Sequence, residues 1–248
     1  ALSGGSPQSR ARALQAVSLV ERPRACIVHP SAQCAAAARE SLSVFQAAED
    51  VPRAAFSRLL LAVEGVGATP GIDAAALLEE ADREFEQLAD PWGRAVVAFV
   101  RMEIQLKRGD EATARATAEH AVQLFRALED GWGLSGVLYH YGYGIQRFGA
   151  YADAVPLLEE AIRVAAAAGV HNTVQWATAD LGLALLALGR VDEAAGCFAR
   201  AGVVSEQVGD HAGQALATYG DALMTARQGD HVRARALLGM MSSTFSSV

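Results

Sequence analysis

Glycines that recur at one fixed interval constrain the fold of this chain more than any other feature of its sequence. Gly109, Gly149, Gly189 and Gly229 are each forty positions apart, and an alanine stands five positions after each of them. Aligning the sequence with itself at this interval gives columns, sets of equivalent positions in successive repeats. Three further columns hold one residue type each: Ala81, Ala121, Ala161 and Ala201; Phe45, Phe85 and Phe125; and Asp50, Asp90, Asp130 and Asp210. Independent columns with a single period indicate stacked structural units, so we expect a repeat protein.

Each repeat carries the pattern of two amphipathic helices. Trp176, Ala179, Leu183 and Leu186 recur at the spacing of one helical face, and Gly189 follows as a residue that tolerates the backbone of a helix end. No segment shows the alternation typical of a strand. The predicted helix pairs are 8–21/31–48, 51–66/72–89, 91–108/110–129, 131–148/150–168, 171–188/190–208 and 211–228/230–244.

These patterns predict an all-α fold, a right-handed α-α superhelix of about six helical hairpins. Residues 1–30 are expected to form an N-terminal segment with one helix, a partial repeat, and residues 31–248 the repeat solenoid. The chain does not begin with Met, and no helix follows the last one to cover Leu237, Leu238 and Met240. We therefore expect either a fragment of a larger chain, with further repeats, or a homodimer formed through the terminal repeats.

Charge and composition exclude several classes of protein. With 52% hydrophobic and 20% charged residues the chain can build a core, which excludes disorder of the whole chain. A net charge of −7 argues against direct contact with nucleic acid, because such contact needs Lys and Arg to neutralise phosphates. No apolar run is long enough to predict a membrane span or a secretory signal. Three cysteines without CxxC spacing favour reduced thiols, and hence a cytoplasmic protein.

The repeats resemble the tetratricopeptide (TPR) pattern L-G…G…A…F…A. One unit matches it with Leu181, Gly182, Gly189, Ala194, Phe198 and Ala201, and the preceding unit with Tyr141, Gly142, Gly149, Ala154, Leu158 and Ala161. Two units depart from it, with Met102 and Ala222 in place of the first glycine. The period is also longer than the roughly 34 residues of a TPR unit. The longer helices, over about residues 31–240, resemble the sensor regions of large bacterial transcription regulators, namely the LuxR-type and MalT-like proteins and the Streptomyces antibiotic regulatory proteins.

The TPR resemblance implies that the first helix of each pair lines a concave groove. The predicted ligand or partner residues in that groove are Phe99, Glu103, Tyr139, His140, Tyr143, Gln146, Arg147, Trp176, Leu183, Tyr219, Leu223 and Arg227. Aromatic and Arg side chains are the residues that binding hot spots favour. Two interpretations stay open: these aromatics face a ligand in the groove, or tighter curvature buries them against neighbouring repeats.

Several motifs that mimic functional sites have structural interpretations. The glycines of 131–136 match G-x-G-x-x-G but follow a helix instead of a strand, which predicts a turn between helices. The tripeptide 108–110, Arg-Gly-Asp, is expected to be a tight turn in which Asp110 caps the next helix. Cys34 and Cys197 fall at small or apolar core positions, and the histidines lie in different repeats without metal-ligand spacing. We predict no catalytic, cofactor-binding or metal-binding residues.

The sequence therefore favours a non-enzymatic binding module. The expected occupant of the groove is a protein or peptide partner, a partner helix, or a small-molecule effector, with no membrane and no nucleic acid contacted. The regulator resemblance implies the sensor or interaction region of a bacterial transcription regulator. The alternative is a stand-alone structural scaffold that bridges protein partners through its outer face.

Overall fold

The computed structural model describes residues 6, 7, 9, 11, 12, 32–66 and 70–245. From residue 32 onward these residues form eleven α-helices and no strand. The helices are α1 (Ala32–Ala47), α2 (Val51–Gly65), α3 (Ala74–Gln87), α4 (Pro91–Arg108), α5 (Glu111–Ala127), α6 (Gly131–Gln146), α7 (Tyr151–Ala167), α8 (His171–Ala187), α9 (Val191–Val208), α10 (His211–Arg227) and α11 (His231–Phe245). The all-α prediction is confirmed. The helix predicted at 8–21, and with it the segment 1–30, lies largely outside the described residues.

The chain divides into two compact units, Ala1–Leu128 and Glu129–Val248. In the N-terminal unit the successive helices from α1 to α5 pack against one another in chain order. In the C-terminal unit α6 to α11 do the same, and α8 also packs against both α6 and α10. The first helices of three successive hairpins therefore lie side by side in the C-terminal unit.

The glycine column forms the tight turn inside four of the hairpins. Gly109, Gly149, Gly189 and Gly229 have φ angles of 80°, 80°, 80° and 89°, in the left-handed region that favours glycine. Asp110 follows the first of them, and its side chain accepts a hydrogen bond of 3.2 Å from the Thr113 backbone N–H. The prediction that Arg-Gly-Asp is a helix-capping turn is confirmed.

Aspartates of one column cap the first helix in three of the hairpins, whereas α8 follows Val170 and has no side-chain cap. Asp50, Asp90 and Asp130 each accept a hydrogen bond from a backbone N–H in the first turn of the next helix. Such a cap satisfies donors that the helix itself leaves unpaired. For Asp130 the donors to this cap are Trp132 and Gly133, so the G-x-G-x-x-G match is the start of α6 after α5, as predicted.

Small residues let consecutive helices approach closely, both between hairpins (α3 and α4) and within a hairpin (α8 and α9). A Cβ built on Gly93 would lie 2.3 Å from the Phe85 ring, and one built on Gly182 would lie 2.6 Å from the Phe198 ring. Both phenyl rings are buried. Gly182 and Phe198, two positions of the TPR pattern, are therefore one packing unit, in which the missing side chain makes room for the ring.

The two described cysteines, Cys34 and Cys197, are buried, as predicted for core residues. Burial raises the pKa of the Cys197 thiol, against the influence of Arg200, whose guanidinium lies 3.2 Å from the sulfur. In the part of the chain that the structure covers, no helix has both the length and the apolarity to cross a membrane. The same residues contain no group of three His, Cys, Asp or Glu side chains suited to a metal ion.

Candidate binding groove in the C-terminal unit

The first helices of three successive hairpins, α6, α8 and α10, form an open groove of about 590 Å³ in the C-terminal unit. One wall comes from α6 and the start of α7, with Tyr143, Gln146, Arg147 and Tyr151. The floor comes from α8, with Asp180, Leu183, Leu186 and Ala187. The opposite wall comes from α10, with Tyr219, Leu223, Ala226 and Arg227. This volume lies within the range of about 300–1,000 Å³ that is usual for sites of small ligands.

The repeat explains why these side chains meet. Tyr143, Leu183 and Leu223 occupy one column of the repeat, and Arg147, Ala187 and Arg227 occupy the column four positions on. Residues four apart lie on the same face of a helix, one turn above each other. Packing α6, α8 and α10 side by side therefore brings both columns to one surface.

The structure brings seven of the twelve predicted groove residues together. They are Tyr143, Gln146, Arg147, Leu183, Tyr219, Leu223 and Arg227. Tyr143 is 41% exposed and Tyr219 is 37% exposed, so the rings on the two walls are open to a ligand. That these residues bind a ligand stays a prediction.

Tyr139 and His140 lie beside the groove in α6. The Tyr139 ring stacks on Tyr143 with centroids 6.3 Å apart, and its centroid is 5.0 Å from that of His140, edge to face. Both residues are half-buried. They contact residues that line the groove and do not themselves line it.

The other three predicted residues lie elsewhere. Trp176 in α8 is half-buried, and its indole N–H is buried without a hydrogen-bond partner among the described residues. Phe99 and Glu103 belong to α4 of the N-terminal unit and are only 5% and 7% exposed. Of the two interpretations for the aromatic positions, burial therefore describes Phe99, and exposure describes Tyr143 and Tyr219.

Asp180 is the charged groove residue that the sequence did not predict; Tyr151, Ala187 and Ala226 also line the groove without having been predicted. It is 3% exposed, and its Oδ2 accepts a hydrogen bond of 3.1 Å from the Tyr139 hydroxyl. Burial raises the pKa of its carboxyl from 3.8 to about 7, although the Tyr139 hydrogen bond and the nearby His140 both lower it. A signal was present in the sequence, since Asp180 is the one residue with a full charge between His171 and Gly189.

The two arginines of the groove have no acidic partner among the described residues. Arg227 in the last turn of α10 donates a hydrogen bond of 2.7 Å to the Leu186 carbonyl, near the C-terminal end of α8. Arg147, at the end of α6, is exposed. In the N-terminal unit, by contrast, Arg58 and Arg101 each pair with two carboxylates. The groove therefore presents unneutralised positive charge in a chain whose net charge is −7.

A second cavity of about 730 Å³ lies in the N-terminal unit. It is lined by the turn between α2 and α3, including Gly65 and Asp73, and by Ile104 and Lys107 of α4. Residues 67–69 lie outside the described residues. The groove in the C-terminal unit is the better candidate despite its smaller volume, because exposed aromatic side chains and a buried acid converge there.

No family model matches this chain, and no curated protein is similar to it in sequence. Solved structures match its fold. The crystal structure of a Rap protein complexed with Competence and Sporulation Factor matches with a TM-score of 0.79 and 12% sequence identity, over 98% of this chain and 66% of that one. The apo form of RapI matches with a TM-score of 0.69 and 12% identity, over 98% and 86% of the two chains.

Two further crystal structures show the same likeness. Aspartyl phosphate phosphatase F from Bacillus subtilis matches with a TM-score of 0.70 and 13% identity, over 96% of this chain and 70% of that chain. BtubC (BKLC) from P. vanneervenii matches with a TM-score of 0.61 and 13% identity, over 98% and 92%. At such low identity the likeness concerns the fold alone. The chain therefore has a TPR-like helical-repeat fold.

Proposed function

We propose that this chain is a non-enzymatic binding module that holds a peptide, or a short segment of a protein partner, in the groove between α6, α8 and α10. The observation that carries the proposal is the pair of exposed tyrosines, Tyr143 and Tyr219, on opposite walls of an open groove. Tyrosine contributes a large, rigid contact area with a polar end, which is why it is common at binding hot spots.

The charges and the floor of the groove support the same function. Leu183 and Leu223 offer apolar surface between the two walls, and Arg147 and Arg227 offer guanidinium groups without acidic partners among the described residues. A peptide supplies apolar side chains and carboxylates together. A Rap protein with a comparable fold has been crystallised as a complex with Competence and Sporulation Factor, which supports a binding function for this architecture.

For the biological role of this module, we propose the sensor or interaction region of a bacterial transcription regulator. Its support is the resemblance of the long repeats to the sensor regions of LuxR-type, MalT-like and Streptomyces regulatory proteins. In that setting a small effector is an alternative occupant. The measurement that tests this setting is the intact mass of the native protein in its source cell, since a mass far above 26.0 kDa indicates a larger regulator.

The alternative function is a stand-alone scaffold that bridges protein partners through its outer face. Exposed apolar side chains on the last helix favour it, because Val232 and Leu238 of α11 are 84% and 41% exposed. A scaffold of this kind would bind its partner through α11, and loss of the groove tyrosines would leave that binding unchanged.

The experiment is a selection of displayed octapeptides on the purified chain, followed by calorimetric titration of the enriched peptides. We expect the Tyr143→Ala, Tyr219→Ala double variant to bind them at least about 10-fold more weakly, since hot-spot truncations cost about 2 kcal/mol or more. Trp132→Ala is the matched control, because Trp132 is a 53% exposed aromatic of α6 that does not line the groove. Equal affinity in the wild type and the double variant would show that the groove assignment is wrong.

A further inference from the structure

We propose that the groove recognises a short zwitterionic peptide of about three residues, with its amino group on Asp180 and its carboxylate on Arg147 and Arg227. This inference rests on the proposed function and names the ligand chemistry of the same groove. Its basis is that the polar groups of the groove are divided between two ends: a buried acid at one end and two guanidinium groups at the other.

The carboxylate of Asp180 can accept more hydrogen bonds than the described residues donate to it. A carboxylate offers about four acceptor positions, and the Tyr139 hydroxyl is the donor that reaches Asp180 among the described residues. No Lys or Arg of those residues forms an ion pair with it. A buried charge is normally paired, because an isolated one is costly away from water. An ammonium group placed in the groove next to Asp180 would supply the missing partner.

The proton affinity of this acid is consistent with a missing partner. Burial raises the pKa of Asp180 to about 7, so the carboxyl is about half protonated at neutral pH. An arriving ammonium group favours the charged form and lowers that pKa. Binding therefore releases the fraction of a proton that Asp180 carries, which gives the proposal a readout other than affinity.

The opposite end of the groove suits a carboxylate. Arg147 and Arg227 occupy the same column of the repeat, one on each wall. The Arg227 guanidinium is held by the Leu186 carbonyl through one N–H, which leaves its other donors available. Guanidinium groups bind carboxylates through paired, charge-assisted hydrogen bonds.

The separation of the two ends sets the length of the ligand. Leu186, which holds Arg227, follows Asp180 by six residues in α8. At about 1.5 Å of rise per residue the two ends lie about 9 Å apart along the helix axis. An extended chain covers about 3.3–3.6 Å per residue, so about three residues connect an amino group at Asp180 to a carboxylate at the arginines.

The middle of the groove provides apolar surface for the central side chain of a peptide and a hydrogen-bond donor for its backbone. Leu183, Leu223 and the two tyrosine rings provide apolar surface for a side chain. The buried Nε2 of Gln146 lines the groove without a hydrogen-bond partner among the described residues. A peptide carbonyl would accept that donor, since buried polar groups are normally satisfied.

The probes are tripeptides with alanine at both ends and leucine, phenylalanine or tyrosine in the middle, titrated calorimetrically at pH 7. We expect at least one to bind, and we expect N-acetylation or C-amidation of that peptide to weaken binding about 10-fold or more, because each removes a charge-assisted hydrogen bond. Titration in two buffers of different ionisation enthalpy should show net release of a fraction of a proton per peptide bound, because Asp180 loses a proton while the peptide amino group takes up a smaller share. Unchanged affinity after acetylation overturns the proposal.

Asp180→Asn is the test on the protein side, because it keeps the shape of the side chain and removes its charge. We expect it to lose about 10-fold or more in affinity for the free-amine peptide, to lose proton release, and to bind the acetylated peptide as the wild type does. Asp221→Asn is the control, since Asp221 is an exposed acid of α10 that does not line the groove. Proton release by the wild-type chain needs no variant and stands even if Asp180→Asn fails to fold.

Longer peptides separate this inference from the proposed function. If octapeptides with both termini blocked bind, and lose affinity in the Tyr143→Ala, Tyr219→Ala variant while free tripeptides do not bind, the zwitterion proposal is wrong and the binding function stands. If neither class binds in the groove, both fail.

Discussion

Phe198 and Gly220 are packed so tightly that a Cβ built on Gly220 would lie 2.2 Å from Cδ1 of the phenyl ring. The same ring is contacted by Gly182, where a Cβ would lie 2.6 Å from Cε1. The ring of α9 is therefore held between glycines of α8 and α10, the helices that form the floor and one wall of the groove. The position of these two helices depends on the absence of two side chains.

Gly220→Ala is accordingly expected to destabilise the protein. A ring cannot move aside as a flexible side-chain end can, and overpacking of this kind costs about 1–3 kcal/mol. The free energy of unfolding from urea titration measures the effect. Gly202→Ala is the control, because Gly202 lies in α9 and its Cβ would be 3.7 Å from the nearest atom, Ala217 Cβ, at ordinary contact distance.

That control is expected to change stability in the opposite direction, by about 0.5–1 kcal/mol, because alanine is the better helix former. Phe198→Leu provides a second check. If the ring causes the clash, Gly220→Ala costs less in a Phe198→Leu background than in the wild type. Equal costs in both backgrounds would place the strain somewhere other than at the ring.

A second prediction concerns the turns that end the second helix of each hairpin. Glu49, Ala89 and Glu129 have φ angles of 53°, 50° and 53°, whereas Gly169 and Gly209 occupy the equivalent positions of the later repeats. The left-handed backbone costs a residue with a Cβ about 1–2 kcal/mol, a cost that glycine avoids. Ala89→Gly is therefore expected to stabilise the protein by about 0.5–1 kcal/mol.

Urea titration of Ala89→Gly and of the reverse change, Gly209→Ala, checks this prediction. The second variant should lose about 1 kcal/mol or more. A loss of stability in Ala89→Gly would mean that the greater flexibility of glycine in the unfolded chain outweighs the relief of backbone strain.

The repeat made most of the fold predictable from the sequence. Columns such as Gly109 to Gly229 mark turns whose backbone only glycine adopts at low cost, so they fix the helix boundaries to within a few residues. The TPR positions Gly182 and Phe198 were recognised as a pattern, but their direct contact was not predicted, since it depends on how closely α8 and α9 approach. The division of the chain at Leu128 was also not predicted.

The repeat positions that line the groove were predictable from the sequence, but the buried acid among them was not. Tyr143, Leu183 and Arg227 were predicted because they repeat at helical spacing, and the structure brings them together. Asp180 was not predicted because its repeat column does not hold similar residues: its counterparts are His140 and Gly220. Phe99 was predicted to face the groove by the same columns, but it is buried, because periodicity does not show how deeply a helix face is covered.

Asp180 gives the protein a specific dependence of stability on pH. Its pKa is raised from 3.8 to about 7, so the folded protein binds up to one more proton than the unfolded chain between these values. The contribution of Asp180 to stability therefore falls as the pH rises from about 4 to about 7, and it is constant above that range. The titratable groups near it are Tyr139 and His140 on α6, with Tyr219 and Arg227 of α10 lining the same groove.

Urea titrations of the wild type and Asp180→Asn at pH 5 and pH 8 isolate this contribution, because the titrating groups that do not interact with Asp180 cancel in the difference. We expect the variant to be more stable relative to the wild type at pH 8 than at pH 5, by up to about 1.4 kcal/mol for each pH unit between the two pKa values of Asp180, with a smaller part from His140, which interacts with Asp180 and so does not cancel. Tyr139→Phe should raise the pKa of Asp180 further, since it removes a hydrogen bond to the charged form. A difference that does not change with pH would mean that Asp180 has an ordinary pKa.

The last prediction separates the role of Arg227 in binding from its role in the fold. Its guanidinium donates to the Leu186 carbonyl from an exposed side chain, and such a bond contributes about 1 kcal/mol to stability. Arg227→Ala should therefore leave the chain folded, with a loss of no more than about 1 kcal/mol, but should weaken binding of peptides with a free carboxylate about 10-fold and make their affinity less sensitive to salt. Arg163→Ala, at an exposed arginine of α7 outside the groove, should change neither property. The measurement is a titration of one peptide, as free acid and as amide, at two salt concentrations. If the variant loses the same affinity for both forms, Arg227 supports the shape of the groove and does not bind the carboxylate.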